Sequence, residues 1–105
     1  MGLEIYWTDF SKKELKNIFD YYKEEASLNV ARNVVLGITK EAAKLKKNPT
    51  IGQEEELLDK DSRDFRYLVF KNYKIIYWVN LEKNRIEVFD IFDTRQNPTK
   101  IKRTK

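Results

Sequence analysis

With no cysteine and no histidine in its 105 residues, this chain can do chemistry only with arginine, lysine, tyrosine, aspartate and glutamate. Disulfide scaffolds, thiolate or imidazole metal sites and Ser-His or Cys-His nucleophiles are excluded together, because each needs one of the missing side chains. The candidates lie in the C-terminal third. Lys74 sits in the middle of an alternating aromatic run, and Arg95 follows the last apolar run in the segment DTRQNP, two residues after Asp93, where a turn would hold its guanidinium near the sheet face that carries Lys74. Such cations suit a phosphate or carboxylate: arginine captures these groups bidentately and lysine supplies a compact point charge. Tyr67 and Trp78, on the same face as Lys74 by alternation, offer rings on which bases could stack. Lys100, Lys102, Arg103 and Lys105 form a basic tail, a weak nucleic-acid signal. Each residue also has a plainer role. Lys74 fits a snorkelling lysine beside aromatics, Arg95 an ion-pair partner of Asp93 or Asp90, and the two rings a cover for the sheet under a loop or partner peptide.

A few elements must position these groups. Leu3, Ile5 and Trp7 alternate with Glu4 and Tyr6, which is a strand. Ser11, preceded by Phe10 and three residues before Glu14, fits an N-cap with a capping box. The helix that follows places Leu15, Ile18, Phe19 and Tyr22 on one stripe. A break near Ala26-Ser27 leads into a second helix from about Leu28 to Lys46, with the stripe Ala31, Val34, Val35, Ile38, Ala42 and Leu45. Gly37 in its middle costs ~1 kcal/mol against alanine, so close approach by the first helix or the sheet is expected there. Asn48-Pro49 ends the helix, since proline pushes the preceding residue out of the helical region. Residues 49–64 show no clear element, with Leu57 and Leu58 as candidate anchors of an acidic loop.

Three strands follow. Lys71-Asn72 fits a two-residue hairpin turn, relying on the tolerance of asparagine for positive φ. That register opposes Phe70 to Tyr73, Leu68 to Ile75 and Arg66 to Tyr77. Leu68, Phe70, Tyr73, Ile75, Tyr77 and Val79 then share the more apolar face, expected under the helices. Phe65, Tyr67, Val69, Lys74, Ile76 and Trp78 share the other, expected to be open. Glu82-Lys83-Asn84 turns the chain into Arg85–Asp93. The apolar phase there shifts from Ile86 and Val88 to Phe89 and Ile91, which predicts a β-bulge near Phe89-Asp90. The fold expected is α+β, ordered βααβββ, with a helical hairpin packed on one face of a small antiparallel sheet.

The length suits a single domain over residues 1–105, burying ~65% of the surface its unfolded chain would expose. A hydrophobic fraction of 41%, with 13% aromatics, lies well above the disordered range. No run approaches the ~18 apolar residues of a membrane span. The start, MGLEIYW, lacks a basic stretch followed by an apolar one, and Tyr6 stands where the myristoylation pattern needs a serine or threonine. A cytoplasmic location is expected. The net charge of +4 is uneven: residues 54–64 carry −4 and residues 94–105 carry +5. A basic end suits a nucleic-acid or acidic-peptide partner; it equally suits a solvated terminus.

The βααβββ order, the hairpin RYLVFKNYKIIYWV and the closing IEVFDIFDTRQNP span nearly the whole chain and resemble the RelE/ParE toxins of bacterial toxin–antitoxin pairs. The resemblance implies a growth-inhibiting toxin of the plasmid-stabilisation type, with no cofactor and no metal. It also implies a cognate antitoxin whose extended segment wraps over the helical hairpin or the sheet face, in a toxin–antitoxin hetero-oligomer. Two activities remain open. RelE-like members are metal-independent, ribosome-dependent mRNA endoribonucleases that use basic residues on the open sheet face, an arginine after the last strand and often a C-terminal tyrosine or histidine. By the hairpin register their strand lysines fall on Tyr67 and Val69, their next-strand arginine on Lys74 and their last-strand arginine on Arg95; no tyrosine follows Tyr77. Lys74 and Arg95 would be the catalytic residues of such a nuclease, thin equipment for stabilising a pentavalent phosphate. ParE-like members are not nucleases and poison DNA gyrase. The departures favour that branch, with Tyr67, Trp78, Asp93, Lys100 and Arg103 expected to bind target or antitoxin. An α+β binding module that has lost its toxicity is the third reading.

Overall fold

A computed structural model of the chain describes residues 2–58 and 62–103, apart from the side chains of Thr99 and Arg103. Strand β1 (Glu4–Trp7) leads through Thr8 into helix α1 (Asp9–Glu25). Thr8, in extended backbone, is the N-cap: its Oγ1 accepts from the Ser11 backbone N–H at 3.1 Å and donates to the Val88 carbonyl at 3.1 Å. Ser11, expected at the cap, is instead fully buried in the first turn and donates its hydroxyl to the Thr8 carbonyl. The reason is tertiary. β1 lies beside the last strand, so the Thr8 hydroxyl gains a partner 80 residues away that no local pattern reveals.

Helix α2 (Leu28–Ala43) is capped by Ser27, whose hydroxyl oxygen accepts from Val30 N–H at 3.1 Å, and it continues as a 3-10 turn over Lys44–Lys46. Ala31, Val34, Ile38, Ala42 and Leu45 are buried along one stripe, with Val35 half-buried at its flank. Gly37 has the close neighbour its position predicts. A Cβ there would lie 2.1 Å from Cζ of Phe70, so the helix approaches the sheet through the missing side chain. Among the described residues no helix is long and apolar enough to cross a membrane.

The sheet has five strands, β1 with Gln53–Glu54 (β2), Arg66–Phe70 (β3), Tyr73–Asn80 (β4) and Arg85–Asp93 (β5), in the order β1-β5-β4-β3-β2. β3, β4 and β5 form the antiparallel meander, in the register read from the turn. Two strand pairings go beyond the expected antiparallel sheet. β1 pairs parallel with β5, Ile5 opposite Ile86, making the sheet mixed; the connection between them runs through the helical hairpin and then the intervening strands, longer than a parallel pair requires. β2, inside the stretch with no clear element, adds two residues to the outer edge of β3. In the hairpin turn the positive φ falls on Lys71 (54°) and not on Asn72. Asn72 is used elsewhere: its amide donates to Asp93 Oδ1 at 3.0 Å and its carbonyl accepts from Thr94.

The bulge lies where the apolar phase shifts. Ile76 opposes Asp90 and Tyr77 opposes Val88, so Phe89 is the extra residue. Its effect is to send Val88 and Ile91 both toward the helices while Phe89 and Phe92 face the other way. Two cores result. The larger packs Ile18, Val34, Ile38 and Leu45 of the hairpin on Leu68, Ile75 and Tyr77. The smaller gathers Phe65, Ile76, Phe89, Phe92 and Ile101 beneath two 3-10 turns, Glu56–Leu58 and Pro98–Arg103. The face expected to be open is therefore covered over much of its area. Several aromatics meet there, and burying each such side chain is worth ~1.5–3 kcal/mol, enough to hold both ends of the chain's irregular structure down.

Candidate functional site

Lys74 projects from the start of β4, the middle strand of the sheet, onto the covered face, and its charge is already matched. Its Nζ donates to Glu55 Oε1 at 2.8 Å and lies 4.2 Å from the centroid of the Tyr67 ring. The Glu55 side chain is only 3% exposed and that of Lys74 22%. Glu55 is held by its own backbone N–H donating to the Phe65 carbonyl at 2.9 Å, while its Oε2 accepts from Leu57 N–H at 3.2 Å. The Tyr67 hydroxyl donates to Gln53 Oε1 at 3.0 Å. Around this pair lies a recess of about 330 Å³ whose remaining walls include Glu54 and Glu56, both exposed. A phosphate entering it would meet more carboxylates than cations.

Arg95 belongs to a different place. Asp93 Oδ1 accepts from the Arg95 backbone N–H at 2.9 Å and from its Nε at 3.0 Å, Oδ2 accepts from Nη2 at 2.8 Å, and Asn72 Nδ2 also donates to Oδ1. The clamped guanidinium edges a recess of about 340 Å³ lined by Asn17, Ile18 and Tyr21 of α1 with Tyr73 and Ile91 of the sheet. The Arg95 hydrogen bonds hold the Asp93 carboxyl below the usual carboxylate range, against an opposing push from burial. Asp93 in turn raises the Arg95 guanidinium further above its ordinary value. Burial, aided by the Tyr22 hydroxyl at 3.5 Å, pushes the Tyr73 phenol well up. The ion pair is open to solvent, so its contribution to stability is small and its effect is geometric.

A third polar knot lies at the other end of β5. Burial works to raise the Glu87 carboxyl, but hydrogen bonds from Arg85 Nε at 2.8 Å and Asn80 Nδ2 at 3.0 Å outweigh it and hold the group low. Arg85 also stacks 3.8 Å from the centroid of the Tyr6 ring. Glu87 and Asp93 thus both titrate lower in the folded chain than in the unfolded one. Their contribution to stability is present above the ordinary carboxylate value of ~4 and is lost as pH falls through the lower folded values. Thermal unfolding followed from pH 7 to pH 2 is expected to show that loss, with a shallower acid limb in Asp93→Asn combined with Glu87→Gln. An acid limb as steep as that of the parent chain would exclude these carboxylates as its source.

Lys74 and Arg95 are not brought together. In the β4–β5 register Lys74 opposes Phe92 while its neighbour Tyr73 opposes Asp93, and successive residues point to opposite faces. The bulge at Phe89 sets which face Asp93 takes, and it takes the helix side. The expectation of an Arg95 guanidinium near the same face as Lys74 is therefore corrected. Of the other candidates, Tyr67 packs on Lys74 and Trp78 is half-buried at the margin of the second core. The Trp78 Nε1 is buried with no hydrogen-bond partner among the described residues. Lys100 is exposed on the turn that carries Ile101, and the Arg103 side chain lies outside the described residues. Three residues escaped the sequence reading. Glu55 sits in a run of identical charges that hides it, and Arg63 stacks on Phe65 and Phe89 at 4.8 and 5.1 Å. Ile101, 1% exposed, had a usable signal: it is the one apolar residue among the tail's lysines.

Comparison with known proteins adds the family. No curated protein sequence matches the chain. A chain of the solved chromosomal ParDE TA system from P. aeruginosa superposes with a TM-score of 0.71 at 17% identity, covering 87% of this chain and 95% of that one; at this identity the likeness is one of fold. The sequence model of the ParE toxin of the type II toxin–antitoxin system, parDE, matches residues 5–98. That match runs from β1 through the Arg95 clamp, and the chain belongs to the ParE toxin family of type II toxin–antitoxin systems.

Proposed function

We propose that this protein stops bacterial growth by binding DNA gyrase, acting as one cytoplasmic toxin domain without enzymatic cleavage of mRNA, and that a cognate antitoxin neutralises it in a hetero-oligomer. Family membership supports the toxin role and the antitoxin partner. The observation that carries binding over cleavage is the separation of the two candidate cations. Lys74 is neutralised by a buried glutamate on one face, and Arg95 is clamped by Asp93 on the other. Cleavage by 2′-OH attack needs several cations and an acid–base pair converging on one phosphate, and each positioned group that is lost costs ~10²–10³ in rate. Tyr67 and Val69 add no charge to either place. Inducible expression in a bacterial host tests the reading. Growth arrest accompanied by an SOS response and gyrase-linked DNA breaks is expected, with intact ribosome-bound mRNA by primer extension. Discrete A-site cuts that vanish in Arg95→Ala would overturn it.

A further inference from the structure

At the end of the sheet opposite Arg95, the larger core is not fully closed. Leu3 at the head of β1 and Val79 near the end of β4 pack against that core but stay partly exposed. With Pro49, Thr50 and Leu81 they line a cleft of about 430 Å³, with room for more than one aliphatic side chain. Leu81, on the β4–β5 turn, is 77% exposed, the highest value of any large apolar side chain among the described residues. The cleft wall is preformed. The Tyr77 hydroxyl, inside the core, donates to the Pro49 carbonyl at 2.8 Å and accepts from Gly52 N–H at 3.0 Å, pinning the 49–52 loop. Arg66 Nη1 then donates to the Gly52 carbonyl at 3.0 Å.

The rest of the Arg66 guanidinium is underused. Its Nη2 has carboxylates of Asp64 at 3.7 Å and Glu54 at 3.9 Å, both mostly exposed and both beyond hydrogen-bond length. The Arg66 side chain is only 22% exposed, and among the described residues its Nη2, unlike Nη1, has no acceptor within hydrogen-bond length. An incoming carboxylate could approach to the ~2.7–2.9 Å of a charge-assisted bond. A rigid apolar slot beside a partly desolvated arginine selects an apolar side chain followed or preceded by an acidic one. The charged residues of the cleft wall are Arg63 and Arg66 against Asp64, a local excess of positive charge that favours approach of an acidic segment.

We propose that the Leu3–Val79–Leu81 cleft is an anchoring site for an acidic segment of the antitoxin, seating one of its apolar side chains while Arg66 takes a neighbouring carboxylate. This rests on the toxin–antitoxin reading above and adds the residues of the contact. A preformed slot lowers the ordering cost of binding, and a buried apolar anchor of this kind is where interface energy concentrates. The test uses the full chain and the purified product of the small open reading frame beside it in the operon, by titration calorimetry. Leu81→Asp, which touches only the mouth, is expected to weaken binding at least ~30-fold, the scale of an interface hot spot. Arg66→Gln is expected to weaken it by about tenfold with Arg66→Lys falling between, as for loss of a charged hydrogen bond; unfolding curves confirm that each variant is folded. Leu36→Asp, on the exposed side of α2, is the control and should bind within a few-fold of the parent. Parent-like affinity in Leu81→Asp, or a loss confined to Leu36→Asp, overturns the cleft and leaves the toxin reading standing. If the parent chain forms no complex with its operon neighbour, the toxin reading falls and the cleft proposal falls with it.

Discussion

Lys74→Met is expected to destabilise the fold by about 2–3 kcal/mol, and Lys74→Met combined with Glu55→Leu to recover most of that loss. The single change leaves the Glu55 carboxylate, 3% exposed, without the ammonium 2.8 Å away that now offsets its burial. Breaking a buried pair from one side typically costs ~3–5 kcal/mol. The Lys74 end reaches solvent and the Leu57 N–H still donates to Glu55, so the lower figure is appropriate. The double change replaces a desolvated pair with apolar groups that can join Leu57 and Tyr67 at the edge of the second core. For a domain of this size the single variant should unfold roughly 10–20 °C below the parent. Urea melts of the four-member cycle measure the effect. A single variant within ~0.5 kcal/mol of the parent would show that the pair is solvated and that Lys74 has charge to spare for a ligand. The experiment therefore bears on mechanism as well as on stability.

Helix propensity alone says that Gly37→Ala should stabilise α2 by ~1 kcal/mol. The opposite sign is expected, a loss of about 1–3 kcal/mol of the kind seen when a packed site is overfilled. The new Cβ would stand 2.1, 2.5 and 2.8 Å from three atoms of the Phe70 ring, and no real contact is that short. Phe70 is partly buried against the helix-side core, so its ring can retreat only by giving up that packing. In a Phe70→Ala background the obstruction is gone, and Gly37→Ala should then stabilise by the ~1 kcal/mol of ordinary propensity. A sign reversal between the two backgrounds, read as a coupling of about 2 kcal/mol or more, is the signature of direct contact. Additive effects would mean that Gly37 is kept for some reason other than the ring.

Much of the fold was legible because its signals are local. A period of two set the register of β3 and β4, and the phase slip between Val88 and Phe89 placed the bulge at the residue where the ladder skips. The apolar stripe of α2 and the proline at 49 gave that helix its face and its end. The lysine at the first turn position was harder. Lys71 takes the positive φ, while the Asn72 amide bonds Asp93, which is 21 residues away in sequence. Thr8, at the cap of α1, likewise bonds a distant residue, Val88.

The chain's own residue pattern determined the βααβββ order, the helical hairpin, the meander and the restriction of any chemistry to arginine, lysine, tyrosine and carboxylates. It also nominated Lys74, Arg95, Tyr67 and Trp78 as individual candidates. Only the tertiary structure decided what those side chains can do. It paired Lys74 with one glutamate out of three adjacent ones, turned Arg95 to the helix side by one extra residue at Phe89, and drew Ile101 of the basic tail over the second core. A side chain's periodicity is a property of its neighbours in sequence. The charge balance of Lys74 and the hydroxyl partner of Thr8 depend on residues 19 and 80 positions away, brought close when the apolar surfaces of both sheet faces leave water.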